Sequence, residues 1–337
     1  MKAVGYRNSL PISEAQSLLD VELPDPVPGA RDLLVEVRAI SVNPVDTKVR
    51  MRAAPEPGGI KVLGWDASGV VKAVGSSVTL FKPGDEVFYA GSIARPGTNS
   101  ELHVVDERIV GPMPRSLNFA QAAALPLTSI TAWELLFDRL GLVPGDMQRK
   151  GTLLVIGGAG GVGSIMIQLA RKLTGLTVMA TASRPESRAW VLALGAHHAV
   201  DHSKPLADEV RALGIRHVEF VASLTNSEQH LAQVAELIAP QGRYGIIDDP
   251  KAFDVTLLKR KSVSLHWELM FTRAVFETAD MIEQHRLLAK IAQMVDAGSI
   301  RTTLSEEFGA INAANLRRAH ALIESGRATG KVVLSGF

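Results

Sequence analysis

Six consecutive residues, Gly158, Ala159, Gly160, Gly161, Val162 and Gly163, have a spacing that could do chemistry. Gly158, Gly160 and Gly163 stand in the GxGxxG pattern, after the apolar run Thr152–Ile156 and before a helical run over residues 165–173. A tight strand-to-helix turn favours a residue tolerant of positive φ, and a diphosphate reaches the backbone only where no Cβ intervenes. The last glycine of such a motif lets helix and strand pack closely. Exposed N–H groups and the positive end of the helix dipole then hold the phosphates. The chemistry predicted here is dinucleotide binding, with these six residues as the cradle.

The dinucleotide can be read further along. An acidic residue about 20 positions after the motif ordinarily holds the adenosine ribose hydroxyls of NAD. Here the strand 177–182 is followed by Ser183, Arg184, Pro185, Glu186, Ser187 and Arg188, so no carboxylate stands at its end. A guanidinium grips a 2′-phosphate bidentately, whereas a carboxylate would repel it. Ser183, Arg184 and Arg188 therefore predict NADPH over NADH, with a solvated helix charge as the other reading of Arg188. Ligands in such sheets bind at the carboxyl ends of strands, which adds Ser223, Leu224 and Ile247 as backbone contacts.

Elements must position these residues. From Gly151 the pattern alternates strand and helix, with strands expected at 152–156, 176–181, 198–201, 217–222, 243–247 and 262–266. Six strands with crossover helices make a doubly wound parallel sheet. The preceding part reads as many short strands punctuated by Gly and Pro, such as 33–40, 69–75 and 86–89, which suggests a partly open barrel. Helices are expected over 119–125 and 129–140 with Pro126 between them, and one long helix over 272–297. The closing Lys331–Leu334 is strand-like and is expected to return to the first domain. The division reads as residues 1–127, 128–271 and 272–337, an α/β chain with a catalytic domain in two segments around a nucleotide domain.

Composition narrows the function. The 337 residues are 46% hydrophobic and 21% charged, with 36 basic against 35 acidic side chains. That balance gives no general pull toward nucleic acid or an anionic membrane, and no apolar run is long enough to span a bilayer. Met1–Tyr6 lacks the apolar core of a signal peptide, so the expected location is cytoplasmic. The chain has no cysteine, which excludes disulfides, thiolate nucleophiles and every Cys-based zinc site. Asp46, Asp66 and His103 are the side chains that could improvise a metal site; none is expected.

The chain resembles the medium-chain dehydrogenase/reductase superfamily, and within it the zinc-free quinone oxidoreductase branch often labelled zinc-type alcohol dehydrogenase-like. The resemblance rests on Ser41–Lys48 (SVNPVDTK), Leu63–Val71 (LGWDASGVV), Leu125–Trp133 (LPLTSITAW), Gly158–Gly163 and Gly330–Leu334 (GKVVL). It implies a GroES-like barrel domain joined to a Rossmann domain, and a homodimer. Zinc members carry a Cys where this chain has Asn43-Pro44-Val45-Asp46, and a Gly-His-Glu motif where it has Gly64-Trp65-Asp66. By the same resemblance Asn43 and Asp46 line the nicotinamide site, Thr131 contacts the carboxamide and Lys331 reaches the cofactor. Bland readings stand beside these: Asn43 as a turn residue, Asp46 as a helix N-cap, Thr131 as a helical Thr bonding its own backbone. Many members have Tyr where this chain has Lys48, which unsettles proton donation from that position. Tyr89, at a strand end, is a candidate phenol.

Without a metal to stabilise an alkoxide, alcohol oxidation is a poor route. Reduction of a quinone or an α,β-unsaturated carbonyl needs only a positioned hydride and a polarised oxygen. The expected function is a metal-free NADPH-dependent reductase of such small carbonyl or quinone substrates, with Asn43, Asp46, Lys48, Tyr89 and Thr131 as catalytic candidates. A non-catalytic NADPH-binding sensor, an alcohol dehydrogenase with an improvised metal site and a single-stranded nucleic-acid binder are the competing readings.

Overall fold

The computed structural model describes all residues, 1–337. It divides into two compact units, residues 1–130 with 271–337, and residues 131–270.

The first unit is mostly β. Its strands are β1 (Lys2–Tyr6), β2 (Leu19–Glu22), β3 (Asp32–Val42), β4 (Lys61–Val62), β5 (Ala67–Val74), β6 (Glu86–Tyr89), β7 (Leu102–Asp106) and β8 (Val110–Pro112). The helices α1 (Pro44–Arg52), α2 (Phe119–Ala123) and α3 (Pro126–Trp133) follow or interrupt them, α3 running across the unit boundary. β3 is central: it pairs antiparallel with both β5 and β7. Its alternation buries Leu33, Val35 and Val37, each contributing about 1.5–3 kcal/mol.

The second unit follows from Glu134–Arg139, which winds as a π-helix. Its elements are β9 (Thr152–Ile156), α4 (Gly161–Leu173), β10 (Thr177–Thr181), α5 (Pro185–Ala193), β11 (His198–Val200), α6 (Leu206–Ala212), β12 (Val218–Ser223), α7 (Ser227–Leu237), β13 (Ile238–Ile246), α8 (Thr256–Lys259) and β14 (Ser264–Trp267). The six strands form one sheet in the order β11-β10-β9-β12-β13-β14, and every neighbouring pair is parallel. β9 is buried along its whole length, as a central strand covered on both faces must be. The chain runs outward from β9 in both directions, so the switch point lies between β9 and β12, where ligands bind in such sheets. The doubly wound parallel sheet expected from the sequence is present.

The first unit then resumes with α9 (Thr272–Val275), α10 (Glu283–Asp296), β15 (Leu304–Glu307), α11 (Ala313–Glu324) and β16 (Lys331–Ser335), and β16 pairs with β3. The single helix expected over 272–297 is thus two. Glu277 between them takes a left-handed φ of 44°, and Asp280 accepts from the Thr278 hydroxyl at 2.6 Å and from Arg273 at 3.0 Å. Such local side-chain bonds compete with helix. Two helices flank the Pro126 junction as expected, but Pro126 is itself the first residue of α3, and α3 gives way to the π-helical stretch instead of running to Leu140. No helix is long and apolar enough to cross a membrane.

Candidate active site

In the second unit the dinucleotide cradle is built at the carboxyl end of β9. The turn from Gly157 to Gly160 leads into α4, whose first N–H groups, on Gly161, Val162 and Gly163, have no carbonyl within the helix. The left-handed residue is Gly157, with φ of 85°, one position ahead of the motif, and its N–H donates to Thr181 Oγ1 at 2.9 Å. Sequence reasoning assigned positive φ to the motif itself, where Gly160 has φ of −72°. A Cβ on Gly158 would lie 2.7 Å from Ala180 Cβ, and one on Gly163 would lie 2.5 Å from the carbonyl oxygens of both Gly157 and Gly158. These two glycines are there for packing. A Cβ on Gly160 would meet nothing nearer than Gly157 O at 3.5 Å, so the space beside Gly160 is open to a ligand. The Ala159 carbonyl accepts from Ser164 Oγ at 3.4 Å. Open backbone at Gly160 beside unpaired N–H groups fits a diphosphate.

Ser183 leaves the end of β10 and Arg184 is the N-cap of α5, with its side chain exposed. Arg188, one turn on, is half-buried and donates to the Ala182 carbonyl at 3.4 Å. Ser183 Oγ lies 3.3 Å from Nε2 of His202, a residue not among the candidates from the sequence. The parallel register Thr181↔Val200 brings it there, because β10 and β11 leave the sheet side by side. No carboxylate stands at 182–185, and Glu186 points to solvent.

Ser223 ends β12, where its hydroxyl accepts from Ser227 Oγ at 2.7 Å. The Leu224 N–H donates to Ile156 O at 3.0 Å and the Ile247 N–H to Ser223 O at 3.3 Å. Both N–H groups are spent in the sheet, so a backbone contact from Leu224 or Ile247 to a ligand would run through a carbonyl. Asp248, which follows Ile247, accepts from the Ser227 N–H and caps α7. Thr131 is buried on α3.

In the first unit a buried polar cluster forms where β3 turns into α1. Asn43 is the N-cap and Asp46 the N3 partner of a capping box: the Asn43 N–H donates to Asp46 Oδ2 at 2.7 Å. Asp46 is therefore not itself the N-cap. Asn43 Nδ2 donates to Asp66 Oδ2 at 2.8 Å, and Asp66 Oδ1 accepts the Leu127 N–H at 2.8 Å at the start of α3. Lys331, from β16, places its ammonium in the middle. It donates to Asn43 Oδ1, to Asp66 Oδ2 at 3.0 Å and to Val42 O at 3.1 Å. Its three protons are taken up there, so in this structure Lys331 is an internal cation. All four side chains are at most 3% exposed.

Two carboxyls face one ammonium in this cluster. Burial pushes Asp46 up to about 7, against the opposing Asn43 N–H and the Lys331 charge, with the Asp66 charge adding to the rise. Burial also raises Asp66, outweighing Lys331 and its hydrogen bonds. A proton on Asp46 leaves the cluster neutral.

The other candidates separate from it. Lys48 is half-buried on α1. Tyr89 is completely buried, stacked on His103 with ring centroids 5.5 Å apart, and its hydroxyl lies 3.2 Å from His103 Nδ1. Nε2 of His103 lies 3.0 Å from the Pro96 carbonyl, which can only accept; the ring proton is therefore on Nε2, and Nδ1 accepts from Tyr89. Burial holds His103 down to about 4 and raises the Tyr89 phenol. Tyr89 is a core residue, not an accessible proton donor. Trp65 is likewise core, its Nε1 donating to Ser92 O at 3.2 Å.

The residues do not fit zinc. No group of three or more His, Cys, Asp or Glu side chains is placed to hold a metal ion. Asp66 faces an ammonium, and His103 has committed both ring nitrogens.

Comparison with known proteins bears on these observations. The profile of the zinc-binding dehydrogenase family matches residues 194–334, and that of the alcohol dehydrogenase GroES-like domain matches 29–115. A zinc-type alcohol dehydrogenase-like protein of Staphylococcus epidermidis is 37% identical over 99% of both chains. A quinone oxidoreductase of Pseudomonas aeruginosa is 33% identical over 91% of this chain and 92% of its own. The crystal structure of a candidate zinc-dependent alcohol dehydrogenase from Rhizobium etli CFN 42 superposes with a TM-score of 0.95 at 61% identity, covering 100% of this chain and 98% of that one.

Proposed function

The chain belongs to the medium-chain dehydrogenase/reductase superfamily of oxidoreductases, and from that premise we propose that it uses NADPH, without a metal, to reduce quinones or α,β-unsaturated carbonyls. One observation carries the reading. The polar cluster where zinc relatives take their ligands by resemblance is filled by the Lys331 ammonium between Asn43 and Asp66. The name of the Pseudomonas aeruginosa relative supports a quinone acceptor. The name of the Rhizobium etli protein points to zinc, and the donor set of this chain argues against that chemistry here.

When bound, the reduced nicotinamide supplies the hydride. The turn at Gly160 and the first N–H groups of α4 hold the diphosphate. Arg184, Arg188, Ser183 and His202 surround the 2′-phosphate. Thr131 orients the carboxamide. Asn43 and Asp46, fixed by Lys331 and Asp66, remain the first unit's candidates for acting on the acceptor. The outer edge of β14 is unpaired in this chain and suits a second copy.

The test is NADPH oxidation by metal-stripped protein, with 1,4-benzoquinone and a simple enone offered in turn and NADH run in parallel. Turnover undiminished by metal removal is expected, with NADPH preferred. Activity that appears only when zinc is restored would end the metal-free reading. Binding of NADPH with no turnover on either acceptor would move the assignment to a sensor.

Arg184 allows a sharper check on the cofactor. Arg184→Ala is expected to raise the KM for NADPH about tenfold or more, the loss of one charge-assisted bidentate contact, and to leave the KM for NADH nearly unchanged. Equal effects on both cofactors would remove Arg184 from the 2′-phosphate site.

A further inference from the structure

Two acidic side chains of the second unit lie outside everything described so far. Glu134 opens the π-helical stretch and Glu268 directly follows β14, and both are buried. Their carboxyl groups are neighbours, and one oxygen of each, Oε2 of Glu134 and Oε1 of Glu268, is buried with no donor to meet it. Two carboxyl oxygens can share a hydrogen bond only with a proton between them. Glu268 Oε2 accepts from Arg139 Nε at 2.8 Å. A shared proton leaves the pair one negative charge, with Arg139 as its counter-ion. Burial first, and then the neighbouring Glu134 charge, hold Glu268 far above the ordinary carboxyl range.

Topology says what this pair adjoins. β14 runs parallel to β13 in the register Ile246↔Trp267, and the Glu268 N–H donates to Ile246 O at 2.9 Å. Glu268 therefore sits at the carboxyl edge of the sheet, the edge that carries the turn at Gly157–Gly160. On that edge β10, with Ser183 and Arg184, lies to one side of β9, and β12, β13 and β14 lie to the other. A dinucleotide with its diphosphate on the turn after β9 and its adenosine ribose at β10 must run its nicotinamide half toward β12–β14. Glu134 comes from the π-helical segment that continues α3 just beyond Thr131, and π-helical turns recur at functional sites.

We propose that Glu134 and Glu268 share one proton and act together as a positioning pair for the nicotinamide half of the dinucleotide, tying the Thr131 segment to the end of β14. The inference rests on the cofactor reading above. Arg139 on the π-helical segment faces Glu268, and His266 on β14 feels the charges of Arg139 and of Arg243 on β13. Removing the shared proton sets two carboxylates against the single guanidinium of Arg139 and loosens the tie.

The experiment uses wild type, Glu268→Gln, Glu134→Gln and Glu268→Ala. Infrared spectroscopy reads the protonated-carboxyl band at neutral pH, fluorescence titration reads NADPH binding, and kcat is followed across pH with NADPH and benzoquinone. In wild type the band is expected at neutral pH, and kcat should fall about tenfold or more as the pair ionises at alkaline pH. Either glutamine variant should lose the band, abolish the alkaline fall and keep kcat within about threefold at neutral pH, since an amide keeps a neutral hydrogen-bonded partner. Glu268→Ala should lower kcat about tenfold at every pH while the protein remains folded by circular dichroism. A missing band, an alkaline fall that survives in both glutamine variants, or wild-type kcat in a folded Glu268→Ala protein would each overturn the inference while NADPH binding stands. A wild-type protein that binds no NADPH would instead overturn the cofactor reading, and the inference with it.

Discussion

Lys331→Met is expected to destabilise the first unit by about 3–5 kcal/mol, the usual cost of stripping one partner from a buried ion pair. The side chain would still fill the volume, so packing alone would not account for the loss. What remains is Asp66, fully buried, with Asn43 and the Leu127 N–H as its hydrogen-bond partners and no cation. The double variant Lys331→Met, Asp66→Asn should recover much of the loss, because it removes the stranded charge. Chemical denaturation of the two variants checks both steps. A double variant no more stable than the single one would mean that Lys331 acts by packing and not by charge.

The same cluster sets a pH dependence whose sign can be worked out. Asp46 has a folded-state pKa of about 7, mainly from burial, against an unfolded value near about 4. A carboxyl raised in the fold binds its proton more tightly there than in the unfolded chain. Its contribution to stability is therefore present below the unfolded value, declines as pH rises from about 4 to about 7, and is gone above that. Asp46→Asn keeps an oxygen for the Asn43 N–H and cannot ionise, so it should flatten this slope and gain on the order of 3 kcal/mol relative to wild type at pH 8. Melting temperatures of both proteins across that window would show whether the slope belongs to Asp46.

What was legible in the sequence was local. Thr152–Ile156 followed by Gly158-Ala159-Gly160 states a strand, a turn and a helix start within a dozen residues, and the alternation behind it placed all six parallel strands. What was not legible depends on distant partners. Tyr89 sits at a strand end, as expected, and only His103 on β7 reveals that its hydroxyl is sealed in the core. Lys331 meets Asp66 across a separation of 265 residues, and no spacing rule predicts which β16 residue points at which β5 neighbour. Which glycine takes the left-handed conformation was not legible, because Gly157 and Gly158 are adjacent and either could have taken it. The break between α9 and α10 carries no Gly or Pro over residues 276–282, so the periodicity ran through it. The lack of any Cys-based zinc site was the exception, since the absence of cysteine is a global fact that needs no structure.

Gly160→Ala and Gly163→Ala should separate the two reasons a glycine is needed in this turn, with opposite signatures. At Gly163 the new Cβ would lie 2.5 Å from two backbone carbonyl oxygens and 2.6 Å from Gly158 Cα, and backbone cannot swing aside as a side chain can. β9 and α4 must part, and β9 is the strand from which the sheet is built outward. The expected cost is about 2–4 kcal/mol of stability, with cofactor binding lost as a consequence. At Gly160 the nearest atom is 3.5 Å away and φ is −72°, a value any residue adopts. Folding should be untouched, and replacing a glycine in a turn adds a few tenths of a kcal/mol in favour of the native state through the unfolded chain. The methyl group would instead occupy the space where a diphosphate approaches, so NADPH affinity is expected to fall about 30-fold or more while the melting temperature stays level or rises. Differential scanning calorimetry without cofactor, paired with NADPH titration, reads both quantities on the same protein. A Gly160→Ala protein that still binds NADPH normally would move the diphosphate off this turn, and with it the whole placement of the dinucleotide along the sheet edge.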